Sequence, residues 1–479
     1  MPYFLAVDLG TTGCRSILFD KDLSLIADSY REYPLVTPKE NWAEQNANHW
    51  WELTLETAAE AIAKSGIDPK AIDGISISSQ GITIVPVDKK LNPLYPAITW
   101  LDTRTEEEVV EIAKTFSPEE IFCHTGKPLA ACYTLPKLLW LQKYQPEIYA
   151  QAYKFLMPME FLVAKFTGRC ITDHSMASGT LLYDIHNQCW SENILNTYGI
   201  DLAKLPELGW SGENAGFVLP EVAQKLGLRE DCVVGLGAQD QKCAALGVGL
   251  KKGMITVSLG TACAIEKYWD YATPETVDNI PWSSFTTKGT WVTEGVINAA
   301  ATCFRWLRDT MFPGESFDVL TAEALEARNR GSNLFFFPYM AGTCGPHNYP
   351  GATGCFHGIT LAATRGDFAL AVMEGIAFQI RSMLEAMQAK DEHIILFGGG
   401  SKGPIWCQII ADATKKTLTV PATSEAAGAG AAILAGQATG SFSMEEPPAI
   451  GVGRAYYPGT YDYEEKYRIY RSVEEKTFT

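Results

Sequence analysis

The chain has 479 residues, 47% of them apolar and 20% charged, with a formal net charge of −17. That length exceeds one ordinary core and suits two domains of roughly 240 residues each. The acidic balance, without any basic block, argues against nucleic acid, and no apolar run reaches the roughly 18–20 residues that span a bilayer.

The opening Met1-Pro2-Tyr3-Phe4-Leu5-Ala6-Val7 lacks a basic flank and reaches Asp8 too early for a secretory signal, so the expected location is cytoplasmic. Residues 3–7 read as a buried strand, a Gly/Thr turn follows, and residues 15–19 read as its hairpin partner. Trp51, Leu55, Ala58 and Ile62 recur at helical spacing and define one apolar face. Residues 74–78 and 82–87 read as strands, and 133–144 as a helix with Pro136 near its start. Residues 232–234 form a strand leading into a glycine turn. Residues 394–397 form another, ending in Gly398-Gly399-Gly400-Ser401-Lys402-Gly403. Pro404 then opens a helix carrying Trp406, Ile410 and Ala413 on one side, and Ser424 is read as the cap of a small-residue helix over 425–434. Strands and helices alternate throughout, which is the signature of α/β architecture. The twelve cysteines include no Cys-x-x-Cys pair, so reduced thiols are expected rather than zinc or redox sites.

An internal echo marks the domain organisation. Asp8-Leu9-Gly10-Thr11-Thr12-Gly13 recurs in form as Ser258-Leu259-Gly260-Thr261-Ala262-Cys263, each copy between two apolar strands. Two related domains, 1–245 and 246–479, follow from it. A Gly/Thr turn between strands exposes N–H groups and hydroxyls that suit phosphate oxygens. One such turn is also an ordinary hairpin connection; two, one preceded by Asp, favour phosphate. Asp8 is positioned to hold Mg²⁺, and Arg15 to add charge against a phosphate.

Other nucleotide devices are absent. No Gly-x-x-x-x-Gly-Lys-Ser/Thr loop occurs. Gly235-Leu236-Gly237-Ala238-Gln239-Asp240 puts Asp where a dinucleotide fingerprint needs its third glycine, which disfavours a nicotinamide-linked oxidoreductase. Asp240, at a strand-to-helix turn, has two open readings: a base accepting a proton from an incoming hydroxyl, or a helix cap. The triple glycine suits a flat base such as adenine lying on backbone, or is a flexible loop. Trp42, Glu44, Gln45, Gln80, Trp100, Asp102 and Arg104 offer the aromatic faces, carboxylates, amides and guanidinium that a polyhydroxylated ligand needs. Singly, each is equally a structural residue.

In order along the chain, these motifs resemble the FGGY carbohydrate kinases. They are Asp8-Leu9-Gly10-Thr11-Thr12, Trp42-Ala43-Glu44-Gln45, Trp100-Leu101-Asp102-Thr103-Arg104, Pro136-Lys137-Leu138-Leu139-Trp140-Leu141 and Thr172-Asp173-His174-Ser175. In the second half they are Gly237-Ala238-Gln239-Asp240, Ser258-Leu259-Gly260-Thr261 and Gly398-Gly399-Gly400-Ser401-Lys402. The resemblance implies two ribonuclease-H-like, actin-like ATPase domains with ATP in the cleft between them and Mg²⁺ as its companion. It implies Asp240 as catalytic base and Asp8 as the magnesium-side acid. Gly10, Thr11, Thr12, Arg15, Gly260 and Thr261 would hold phosphates, with Ala301, Arg305, Gly399, Gly400 and Ser401 around the nucleoside. Gln80, Gly81, Trp100, Asp102, Arg104 and Asp240 would contact the sugar.

The implied reaction is transfer of the γ-phosphoryl group of ATP to a hydroxyl of a small sugar or polyol, with homodimers common in the family. Departures at Gln80-Gly81-Ile82-Thr83, where xylulokinases carry Gln-Met-His-Gly, and at Gly342-Thr343-Cys344-Gly345-Pro346 leave the acceptor open. Overall likeness to the xylulokinase branch favours a ketose such as a pentulose, or a related polyol. The competing reading is an actin-like, nucleotide-gated sugar sensor with little kinase activity.

Overall fold

The computed structural model describes residues 2–274, 280–343, 345–349, 351–390 and 393–478. Its first sheet contains β1 (Tyr3–Leu9), β2 (Gly13–Asp20), β3 (Leu25–Glu32), β4 (Ile72–Ser79), β5 (Asn214–Phe217), β6 (Val233–Gly235) and β7 (Ala238–Gln239). The order is β5-β6-β4-β1-β2-β3, with β7 also beside β4. Strands β1, β2 and β3 form an antiparallel meander, and β4 joins β1 in parallel.

The second sheet repeats that plan. It contains β8 (Met254–Leu259), β9 (Cys263–Trp269), β10 (Trp282–Ser284), β11 (Trp291–Ile297), β12 (His393–Phe397), β13 (Thr417–Pro421) and β14 (Val452–Tyr456). The order is β10-β11-β9-β8-β12-β13-β14, again with an antiparallel hairpin on one side of the central strand and a parallel neighbour on the other. The short motif echo thus belongs to a repeated sheet.

Strand alternation decides what each face meets. Leu5, Val7 and Leu9 of β1 pack with α1 (Ala47–Ser65) and α2 (Pro158–Thr167). The buried side of α1 is centred on Trp50, Leu55, Ala58 and Ile62, while Trp51 is half-buried with its ring edge-on to Phe166. Phe4 and Ala6, on the other face, meet α3 (Asp240–Gly247) and α4 (Ala426–Ala438). These two helices lie against each other with almost no side chain between them. A Cβ on Gly247 would stand 2.1 Å from the Ala426 carbonyl oxygen, and one on Gly430 only 1.9 Å from that of Cys243. Glycine at both positions is what allows the crossing.

Two expectations are corrected. The strand expected over 82–87 is Val85–Val87 alone, because Ile82 takes a left-handed conformation (φ 51°) inside a tight turn in which the Thr83 N–H donates to the Gly81 carbonyl. Ser424 does not cap the small-residue helix, which begins at Ala426 and runs on to Ala438. Its hydroxyl instead donates to the Glu425 carboxylate, which is itself drawn towards Arg15. No disulfide joins the described cysteines. Among the described residues, no helix is long and apolar enough to cross a membrane.

Candidate active site

Register builds the site at one end of the first sheet. Asp8 on β1 pairs with Ser78 on β4, and Ala238 on β7 pairs with the same Ser78 from the other side. Asp8 shares the face of Phe4 and Ala6, the face covered by α3, so its carboxylate is directed towards the helix that Asp240 opens. The Ser78 hydroxyl donates to Asp8 at 3.0 Å. Burial is the main influence on the Asp8 carboxyl; the Ser78 bond lowers it, Glu425 raises it, Arg15 lowers it, and it stands at about 6.

The two readings of Asp240 separate here. The cap of α3 is Gln239, whose side-chain oxygen accepts from the N–H groups of Gln241 (3.1 Å) and Lys242 (3.4 Å). Asp240 is the first helical residue; its carboxylate accepts from the Gln241 N–H at 2.7 Å and from the Gln239 side-chain amide. Burial, then the charge of Asp8, push its carboxyl up to about 7, with a smaller rise from Glu294 and opposing effects from the Gln241 N–H and Lys242. The Gln239 N–H in turn donates to the Ser175 hydroxyl at 3.0 Å. Ser175 lies in a short helix capped by Asp173, which the Ser211 hydroxyl holds at 2.7 Å. The Thr172-Asp173-His174-Ser175 motif therefore braces the turn that carries Asp240.

The twin turns each close on the glycine N–H, but with spacings that differ by one residue: the Gly10 N–H donates to the Gly13 carbonyl and the Gly260 N–H to the Ala262 carbonyl, both at 3.0 Å. Thr12 and Thr261 are exposed at the tips. Thr11 is tied to the sugar-side residues, its hydroxyl accepting from the Trp100 indole at 2.9 Å and its carbonyl from Gln45 at 2.6 Å. Arg15 is engaged by Asp28 at 2.9 Å and by Glu425, at the start of α4.

Gln80, Gly81, Trp100, Asp102 and Arg104 gather beside the first turn, in two distinct environments. Trp100 is 40% exposed. Gln80 is buried, donating to Gly10 (3.3 Å) and Gln45 (2.9 Å) and accepting from Thr83 (3.1 Å). Asp102 and the Arg104 side chain are fully enclosed, paired with each other at 2.6 Å and, through Arg104, with Glu44 at 2.8 Å. The Arg104 guanidinium lies 3.5 Å from the Trp42 ring and 5.0 Å from that of Trp140, a cation enclosed by aromatic faces. Asp102, Arg104 and Glu44 bond to one another, with the Arg104 Nη1 buried without a hydrogen-bond partner among the described residues, while Trp100 presents an open face.

At the corresponding end of the second sheet, the Gly260 and Thr261 carbonyls accept from the N–H groups of Ala301 and Ala300, both at 2.9 Å. That fixes the helix Ala301–Trp306 to the turn, with Arg305 exposed on it. The glycine loop is an ordered 3₁₀ turn, Gly399–Lys402. Gly398 has φ 90°, and its own Cβ would stand 2.9 Å from the Leu259 carbonyl oxygen, so the loop presses on the residue just before the second turn. Nothing lies within 4 Å of where a Gly399 Cβ would be, so that position is open to a ligand. The Ser401 hydroxyl is turned inward onto the Gly398 carbonyl at 2.8 Å. In the loop 342–346, Cys344 lies outside the described residues. Ser78, Glu425 and Lys242 carry no local mark of these roles, since each acts through a partner on another element, whereas Gln239 caps the N–H groups two and three residues on.

Residues 3–247 match the N-terminal domain of the FGGY family of carbohydrate kinases and residues 256–439 its C-terminal domain. A xylulose kinase of Bacillus subtilis is 32% identical over 484 residues, covering 99% of this chain and 97% of the relative. A gluconokinase of the same organism is 29% identical over 469 residues, with 95% and 91% covered. The crystal structure described as a xyloylose kinase from Brucella ovis superposes with a TM-score of 0.90 at 27% identity, covering 99% of each chain. With both halves matched in order and the repeated sheets in place, the chain belongs to the FGGY family of carbohydrate kinases.

Proposed function

We propose that this protein transfers the γ-phosphoryl group of ATP to a hydroxyl of a small ketose, a pentulose of the xylulose or ribulose type, with Asp240 as general base. The observation that carries the reading is the environment of Asp240. Gln239 takes the capping bonds from Gln241 and Lys242, Asp240 keeps the bond from the Gln241 N–H, and its carboxyl is raised to about 7, where a base is half-ready at neutral pH. Asp240 accepts the proton of the acceptor hydroxyl as the phosphoryl group is transferred in line. Trp100 offers its exposed face to the sugar, Gln80 and Gly81 line the first turn, and the buried Asp102–Arg104 pair holds that wall in place. Gly10, Thr11, Thr12, Gly260 and Thr261 cradle the phosphates, while Ala301, Arg305, Gly399, Gly400 and Ser401 surround the nucleoside. Arg15 acts from its ion pair with Asp28 and Glu425.

Asp8 offers the hard carboxylate oxygen that magnesium takes alongside substrate phosphates. When bound with ATP, magnesium supplies neutralisation of the phosphate charge. Residues 1–245 then serve the acceptor and base, and 246–479 the nucleotide, with α4 returning from the second half to pack on the first sheet.

The pentulose assignment draws on the full-length similarity to xylulose kinases. An ADP-release assay with MgATP against D-xylulose, D-ribulose, gluconate, glycerol and pentitols tests it. Saturable turnover with a pentulose is expected. Turnover with gluconate or glycerol alone would replace the acceptor, and sugar-independent ATP hydrolysis would favour a sensor.

A further inference from the structure

Lys242, two residues beyond Asp240, is 3% exposed and reaches out of α3 onto the second sheet. There its ammonium lies 3.1 Å from Glu266 and pairs with Glu294. These carboxylates are direct cross-strand partners on β9 and β11. Like charges in facing positions repel: burial pushes the Glu266 carboxyl up to about 7, Lys242 draws it down and Glu294 raises it, and the cation between the two carboxyls holds them together. Burial opposes the Lys242 charge, yet Glu294 and Glu266 outweigh it and hold the ammonium above its ordinary value. Lys127 stands nearby, buried, donating to the Ser283 hydroxyl on β10 at 2.7 Å. Two lysines of the first half are thus anchored in the second sheet.

We propose that Lys242 is a positioning residue: gripped between Glu266 and Glu294, it sets the rotation of α3 and so aims Asp240, making the base correctly placed only when the second sheet is seated. The proposal rests on the reading of Asp240 as base. The helix has eight residues; its close crossing with α4 at Cys243 and Gly247 fixes one side, and Lys242 holds the side that faces the second sheet. Two positions along a helix is about 200° around its axis. Lys242 and Asp240 therefore leave the helix in different directions, yet Asp240 still feels the charges of Lys242 and Glu294, and holding one side chain fixes the direction of the other. A displacement of about 1 Å at a reacting group is enough to slow a reaction by about a hundredfold.

The test is steady-state kinetics of Lys242→Met, Lys242→Arg and Glu294→Gln with MgATP and the sugar that supports turnover. Each rate is referred to the fraction of molecules that bind a fluorescent ATP analogue. For Lys242→Met, kcat should fall about tenfold or more while the acceptor KM stays within about threefold. Lys242→Arg should recover to within about threefold of the parent, since a guanidinium can bridge the same two carboxylates. A purely structural role would reduce the ATP-binding fraction and leave kcat per binding molecule unchanged, which would overturn the proposal. If Lys242→Met fails to fold, Glu294→Gln keeps the shape and one partner, and an unchanged kcat there also overturns it. Asp240→Asn separates the two ideas. Parent-like turnover in that variant rejects the base itself, whereas an inactive Asp240→Asn beside a fully active Lys242→Met rejects only the positioning role.

Discussion

Asp8 lies on β1 and Asp240 just beyond β7, the two strands that flank β4 at Ser78, and the charge of Asp8 helps to raise the carboxyl of Asp240. Asp8 itself is held at about 6 and Asp240 at about 7, burial being the leading cause for both. Two acids kept close and dry cannot both ionise freely near neutral pH.

A pH profile follows from that pair. The base works deprotonated, so kcat/KM for the acceptor should rise with pH and level off above about 7. Rates measured at saturating MgATP between pH 5 and 9 check this; a flat profile through that range would remove Asp240 from the proton transfer.

Asp240→Asn should lower kcat by about a hundredfold or more, with a small change in ATP affinity. It should also change stability in a pH-dependent way. A carboxyl raised by burial from 3.8 to about 7 costs folding nothing only below its unfolded value; the penalty grows as pH rises through that interval and is complete above about 7. The variant should therefore melt at least about 2 °C above the parent at pH 8, with a clearly smaller gap at pH 5. Scanning calorimetry at the two pH values reads both outcomes.

Gly430→Ala drives a Cβ into the Cys243 carbonyl, 1.9 Å away, where α3 and α4 cross. Backbone has to move, at about 1–3 kcal/mol. A lower Tm together with a lower kcat is expected, because α3 carries Asp240. Gly440→Ala, at a helix end where no atom lies within 4 Å, is the control for space, although its φ of 75° adds strain of its own.

Arg104→Lys and Trp100→Phe should differ. The lysine has neither the fork for Asp102 and Glu44 nor the flat face for Trp42 and Trp140, so stability should fall by about 3 kcal/mol. Trp100→Phe loses one bond to Thr11 from a half-open position, so Tm should hold within about 1 °C while the acceptor KM rises several-fold. Urea unfolding and acceptor titration distinguish the two.

Much of this arrangement could be read along the chain, because its causes are local. Apolar runs broken by Gly and Thr marked both strand–turn–strand units, and the spacing of Leu55, Ala58 and Ile62 marked α1. Three glycines after a buried strand marked the loop that presses on Leu259. The left-handed φ of Ile82 has no local mark, because the turn around it imposes that conformation against the preference of a β-branched residue. The capping of α3 was ambiguous because Gln and Asp side chains both reach the first N–H groups of a helix, and only backbone geometry selects Gln239.

Strand period and turn chemistry need only near neighbours, so the α/β class, the duplicated turns and the Gly-x-x-Asp turn at Asp240 are legible along the chain. The destinations of charge are set only in the closed fold. Arg15 meets Glu425 across 410 positions, Lys242 meets Glu294 across 52, and Arg104 is enclosed between Trp42 and Trp140 rather than left open to solvent. A charged side chain carries no local mark of its partner: which opposite charge it meets, and how much water remains, are set only when the sheets close on α3 and α4.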